Sequence, residues 1–129
     1  MEAAKSAANE EMQENKHTDY IYMVTGDRLV ISMNAELDHH LATQLKEEAD
    51  LLIETYHVKT LIFDFTNTEF MDSSGIGVLI GRSRNLSFSG GQVVATNLSP
   101  RVEQIFRISG LQRLITVVPS DQENQKSEV

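Results

Sequence analysis

The spacing of apolar residues changes several times along the chain, and each change marks an element. Tyr20-Ile21-Tyr22-Met23-Val24 is a run of aromatic and branched residues of the kind that favours strands, and Gly26-Asp27 separates it from a second such run. A turn signal between two β-type runs predicts a hairpin. In the second arm Leu29, Ile31, Met33 and Ala35 share one face while Ser32 and Asn34 fall on the other, the alternation of a half-buried strand. Helical spacing follows. Leu41, Leu45, Ala49, Leu52 and Tyr56 recur behind Asp38, an N-cap residue type, and predict an amphipathic helix to about residue 56. Thr60 to Phe65 is almost continuously apolar, as a central strand requires. A second helix is predicted from Ser73 to Ser87, and Gly90-Gly91 breaks the chain before a strand at Gln92 to Thr96. Ser99-Pro100 is a helix start, Gly110 a helix stop, and Leu114 to Val118 the last strand.

The order β-β-α-β-α-β-α-β predicts an α/β domain over residues 19–119, with a mostly parallel mixed sheet, an N-terminal antiparallel hairpin strand and helices packed on the sheet. Residues 1–18 and 120–129 lack an apolar stripe and are expected to be polar, disordered tails. The length of 129 residues and a hydrophobic share of 40% suffice for one domain with its own core. With no cysteine, disulfides, thiolate metal sites and thiol chemistry are excluded. A net charge of -8 argues against nucleic acid as a partner. No apolar run reaches the ~20 residues of a membrane span. The start of the chain also lacks the pattern of a signal peptide, so a cytoplasmic protein is expected.

Chemistry concentrates on one stretch, Asp72-Ser73-Ser74-Gly75-Ile76-Gly77-Val78-Leu79-Ile80-Gly81. Ligand and partner contacts in parallel sheets gather beyond the C-terminal strand ends. Asp38, Asp72, Ser73, Ser74 and Asn97 all lie on such loops and are expected near one another. As a nucleophile Ser73 needs a histidine base and an orienting acid. Only His39 and His40 can lie near its loop, and no GxSxG elbow is present, so no catalytic residue is assigned. The glycines match a dinucleotide fingerprint poorly, because about seven residues separate them from the strand where that fingerprint needs a tight strand-to-helix turn. A phosphoacceptor is compatible with a helix N-terminus, where free N–H groups and the dipole tolerate a phosphate. Simple helix capping by Asp72, Ser73 and Ser74 explains the same residues. Each glycine in a helix interior costs about 1 kcal/mol against Ala, so the small side chains serve some contact. Ser73, Gly77 and Gly81 share one stripe, which faces either a partner or a neighbouring helix, whereas Ile76, Leu79 and Ile80 point to the sheet. Adjacent histidines diverge by about 100° on a helix, so His39-His40 is read as solvated or partner-facing, with no metal or cofactor assigned. Arg82, Arg84 and Arg101 are read as solvated charges, Arg82 as a candidate for an acidic interface.

These residues together resemble the STAS domains, specifically the bacterial anti-sigma factor antagonists. The resemblance is carried by Asp72-Ser73-Ser74-Gly75-Ile76-Gly77 after the Leu61-Ile62-Phe63-Asp64-Phe65 strand, and by Glu36-Leu37-Asp38-His39-His40, Gly81-Arg82, Ser99-Pro100 and Ile108-Ser109-Gly110-Leu111. It spans residues 20–118 and is nearest the sporulation sigma-F type. It implies an interaction switch rather than an enzyme. The unmodified antagonist binds an anti-sigma factor that is also an ATP-dependent serine kinase, and the sigma factor is released. Phosphorylation of the first serine of the motif, here Ser73, ends binding, and a metal-dependent serine phosphatase restores it. Asp38, Asp72, Ser74, Gly75, Ile76, Gly77 and Gly81 match the partner-facing region. An alternative within the resemblance is a STAS subunit of a larger signalling or lipid-transport assembly. The chain departs from the family pattern at Ala35, where glycine is usual, and in a C-terminal segment without the apolar residues of a last helix.

Overall fold

A computed structural model describes residues 13–16 and 19–119. Six strands pair in sequential order in one sheet: β1 (Gln13–Lys16), β2 (Tyr20–Thr25), β3 (Arg28–Met33), β4 (Thr60–Asp64), β5 (Gln92–Thr96) and β6 (Thr116–Val118). β1, β2 and β3 pair antiparallel, and β3 to β6 parallel. Three helices form the crossovers: α1 (His39–Tyr56), α2 (Ser73–Ser87) and α3 (Pro100–Ser109). The hairpin turns at Gly26, whose φ of 62° is the left-handed region that glycine enters without steric strain.

Alternation along the strands selects the core face. Leu29, Ile31 and Met33 of β3, Leu61 and Phe63 of β4, and Val93 and Ala95 of β5 are buried. Against them pack Leu41, Leu45, Ala49 and Leu52 of α1, Val78, Leu79 and Leu86 of α2, and Val102 and Phe106 of α3. The intervening strand residues Val30, Ile62 and Val94 are half-buried on the opposite face. Phe65 meets Phe106 edge to face with ring centroids 5.7 Å apart, which fixes α3 against the exit of β4.

The mixed sheet, its hairpin and the helices follow the expectation, and so do their caps. Asp38 accepts from the Leu41 amide, Asp72 from Ser74 and Gly75, and Ser99 from Val102, with Pro100 opening α3 and Gly110 closing it at φ 80°.

Three points differ. Gln13–Lys16, expected within a tail, pairs with β2 as an edge strand. A ladder uses backbone groups, so an edge strand can form without the apolar stripe on which the expectation rested. The remainder of both expected tails lies outside the described residues. The last strand begins at Thr116 rather than Leu114, because Leu111–Arg113 forms a 3-10 turn that continues through Leu114. Finally, Arg82 is not a solvated charge. It is 5% exposed and lies on the buried face of α2 with Gly75, Val78, Leu79 and Leu86, while Ile76 and Ile80 are only half-buried. Its side chain spans from α2 to α1, where Nε stands 2.9 Å from Asp50 Oδ1. Ala35 needs no glycine conformation: among the described non-glycine residues only His57 and Asn97 have positive φ.

Candidate functional site

Two loops build the rim that carries Ser73. The segment after β3 and the segment after β4 lie side by side and are joined through main chain and side chain. Leu37 N–H donates to Phe70 O at 3.0 Å and Asp72 N–H to Leu37 O at 3.2 Å, a short parallel bridge beyond the sheet proper. The Glu36 carboxylate accepts from the amides of Glu69 at 2.9 Å and Phe70 at 2.8 Å. Buried Thr68 donates its hydroxyl to Ala35 O at 2.8 Å, and Asn67 donates to the Asn34 side chain at 3.1 Å. Hydrogen bonds to a charged group each contribute about 1.5–3 kcal/mol, so Glu36 holds the serine-bearing loop firmly in one register.

Asp64 anchors the other side of the rim. At the end of β4 it accepts from Thr66 Oγ1 at 2.6 Å, the Thr66 amide at 3.0 Å, Asn97 Nδ2 at 2.9 Å and Ser32 Oγ at 3.4 Å. Burial raises its pKa, but the donors from Thr66, Asn97 and Ser32 together outweigh it and hold the carboxyl below its ordinary value. Asn97 takes up φ 61° there, a conformation asparagine tolerates better than most side chains. A depressed carboxylate stabilises the fold above its unfolded pKa and loses that contribution as pH falls through the folded one. Asp64→Asn is therefore expected to be less stable than wild type at pH 7, by about 1–3 kcal/mol. The gap should narrow in urea titrations as pH drops below the ordinary 3.8. A gap independent of pH would remove the titration of Asp64 as its cause.

At the centre of the rim, α1 and α2 begin next to each other. Asp72 Oδ1 accepts from Ser74 N–H at 2.9 Å and Gly75 N–H at 3.2 Å. The carboxylate of the cap thus already occupies helix N-terminal donors that a phosphate was expected to use. The two serines differ. Ser74 is half-buried, with Oγ 3.1 Å from His39 Nδ1. Ser73 is exposed and its hydroxyl makes no hydrogen bond. A histidine therefore reaches the rim, but at Ser74, and His40 turns away to Gln44 at 3.3 Å.

Of the residues expected together, Asp38, Asp72 and Ser74 are connected through Leu37 and His39, and Asp38 and Ser73 are exposed. Asn97 is held by Asp64 instead. Gly75 is buried: a Cβ there would lie 2.7 Å from Leu37 O, so this glycine serves the junction of the two loops. Gly77 and Gly81 have nothing within 4 Å of an added Cβ, so close approach of a neighbouring helix does not account for them. Beside the rim, Phe70 is 41% exposed with the Arg101 guanidinium 5.7 Å from its ring centroid. Glu36, Asp64 and Thr68 were not among the expected site residues. Glu36 and Asp64 had a signal, as members of the Glu-Leu-Asp and Leu-Ile-Phe-Asp-Phe stretches, whereas Thr68 had none.

A sheet of sequential strand order, crossed by capped helices that open onto one rim, defines an α/β domain with an exposed serine at a helix start. The STAS domain family matches residues 18–124, and the chain belongs to that family. An anti-sigma F factor antagonist from Lysinibacillus sphaericus is 38% identical over 89 residues, which cover 69% of this chain and 76% of that protein. Among solved structures, the anti-sigma factor antagonist SpoIIAA in its unphosphorylated form is 33% identical with a TM-score of 0.68, covering 90% of this chain and 94% of that one. The Bacillus cell fate determinant SpoIIAA in its phosphorylated form is 31% identical with a TM-score of 0.62, covering 92% and 99%. No helix among the described residues is long and apolar enough to cross a membrane.

Proposed function

We propose that this chain is a cytoplasmic anti-sigma factor antagonist that works by binding rather than catalysis. Its unphosphorylated form binds an anti-sigma factor with serine-kinase activity and releases the sigma factor. Phosphorylation of Ser73 ends that binding, and a metal-dependent serine phosphatase reverses the modification. Kinship with anti-sigma F factor antagonists, and with SpoIIAA in both phosphorylation forms, supports the class. The observation that carries the choice of residue is the contrast within the Ser-Ser pair. Ser73 presents an unengaged hydroxyl on the surface, whereas Ser74 is half-buried against His39. A kinase must bring its γ-phosphate in line with an accessible oxygen, and only the first serine offers one without local rearrangement.

The test combines the anti-sigma kinase, ATP and this chain, followed by intact mass and site mapping. One phosphate on Ser73 is expected. Ser73→Ala should bind the kinase and take up none, while Ser74→Ala should still be modified. Incorporation into Ser73→Ala at the wild-type rate would remove the assignment.

A further inference from the structure

Beside the rim, α1 and α2 enclose a groove of about 440 Å³. Its cationic or protonatable side chains are His39, Lys46 and Arg82, and no carboxylate lines it, although the whole chain carries a net charge of -8. On the α2 side the lining includes bare backbone at Gly77 and Gly81, beyond which there is open space. Arg82 sets the character of the groove. It is more than nine-tenths buried, and its pairing with Asp50 brings Nε to 2.9 Å as an ion pair without hydrogen-bond alignment. Nη1 is buried with no hydrogen-bond partner. A buried guanidinium nitrogen without an acceptor is costly, and an acceptor entering the groove would relieve it after a small turn of the side chain.

We propose that this groove is an oxyanion site that receives a carboxylate side chain of the anti-sigma partner. The inference rests on the function proposed above and adds the chemistry of the docked segment. Planar guanidinium and flexible ammonium together suit a carboxylate, and two glycines on one wall let a partner's main chain lie against the helix. The groove is continuous with the acceptor, since Ser73, Gly77 and Gly81 fall on one stripe of α2. An acidic segment seated there would meet a phosphate on Ser73 as a like charge. The same occupant is thus attracted in one state and repelled in the other.

The test is a titration of the anti-sigma partner against wild type, Lys46→Glu and Lys59→Glu. Lys59 makes the same charge change at the opposite end of the sheet, where its Nζ donates to Ser89 O. Lys46→Glu is expected to weaken binding at least about tenfold, Lys59→Glu by much less. An Asp→Lys or Glu→Lys substitution in the partner should restore affinity to Lys46→Glu specifically. Equal effects of the two reversals, or no effect of Lys46→Glu, overturn the groove while leaving the function intact. Absence of binding by wild type instead removes the function reading itself. Inorganic phosphate is the second probe. Shifts of the Gly77 and Gly81 amides with phosphate, combined with partner binding indifferent to Lys46→Glu, would make the groove a free-anion site and overturn the carboxylate assignment.

Discussion

Ser73→Asp is expected to lower affinity for the anti-sigma partner at least about a hundredfold while leaving the fold unchanged. Two observations set that expectation. Ser73 is exposed and makes no hydrogen bond, so replacing it breaks nothing. The amides of Ser74 and Gly75, which would otherwise receive a new anion, already donate to Asp72. An added negative charge therefore joins Asp72 and exposed Asp38 at the surface instead of being absorbed by the helix end. Like charges brought together in an interface cost several kcal/mol, and each ~1.4 kcal/mol is tenfold in affinity. A phosphate carries about -1.5 to -2 charges and should act more strongly than the aspartate. Calorimetric titration at several salt concentrations measures both parts. The defect should shrink as salt rises, because screening acts over about 8 Å at physiological ionic strength. Unfolding should stay within about 0.5 kcal/mol of wild type, as for surface substitutions generally. Unchanged affinity would remove the charge mechanism.

What the sequence disclosed about this rim was local chemistry. Asp38, Asp72, Ser99-Pro100 and Gly110 could be read as caps because a cap bonds to amides or carbonyls within a few residues of itself. The mostly parallel, mixed character of the sheet followed from the opening hairpin and the alternation of strands and helices after it. What stayed hidden depends on pairs far apart in the chain. Glu36 with Phe70, Thr68 with Ala35 and Asp64 with Asn97 are each separated by more than thirty positions, and nothing in their neighbours announces the partner. Arg82 was misread for a related reason: an arginine on a helix is usually solvated, and only the position of Asp50 on α1 shows why this one is buried. Helical spacing set Gly77 and Gly81 on one stripe apart from Gly75, but did not show what any of the three faces. Their surroundings divide them, with one wedged against a neighbouring loop and two facing space.

That division sets the final prediction, in which alanine at three nearby glycines has opposite effects. Gly77→Ala and Gly81→Ala are expected to stabilise the protein by up to about 1 kcal/mol each, because alanine is the better helix former and the new methyl meets nothing within 4 Å. Gly75→Ala has the same helical advantage but places Cβ 2.7 Å from both Leu37 O and Leu37 Cγ. The oxygen belongs to the backbone that accepts from Asp72 N–H, so it cannot swing aside as a side-chain tip would. Overpacking of this kind costs about 1–3 kcal/mol, enough to reverse the sign. Urea unfolding at pH 7 compares the three variants, and a Gly75→Ala protein as stable as Gly77→Ala would show that the junction yields freely. The consequences for binding should run differently. Gly75→Ala displaces the loop that sets Asp72 and Ser73, so phosphorylation of Ser73 should slow along with the loss of stability. Gly77→Ala and Gly81→Ala should bind the partner more weakly although they are the more stable proteins, because the added methyl groups stand where its main chain is proposed to lie. Stability gained together with affinity lost is a result that a merely structural role for these two glycines does not produce.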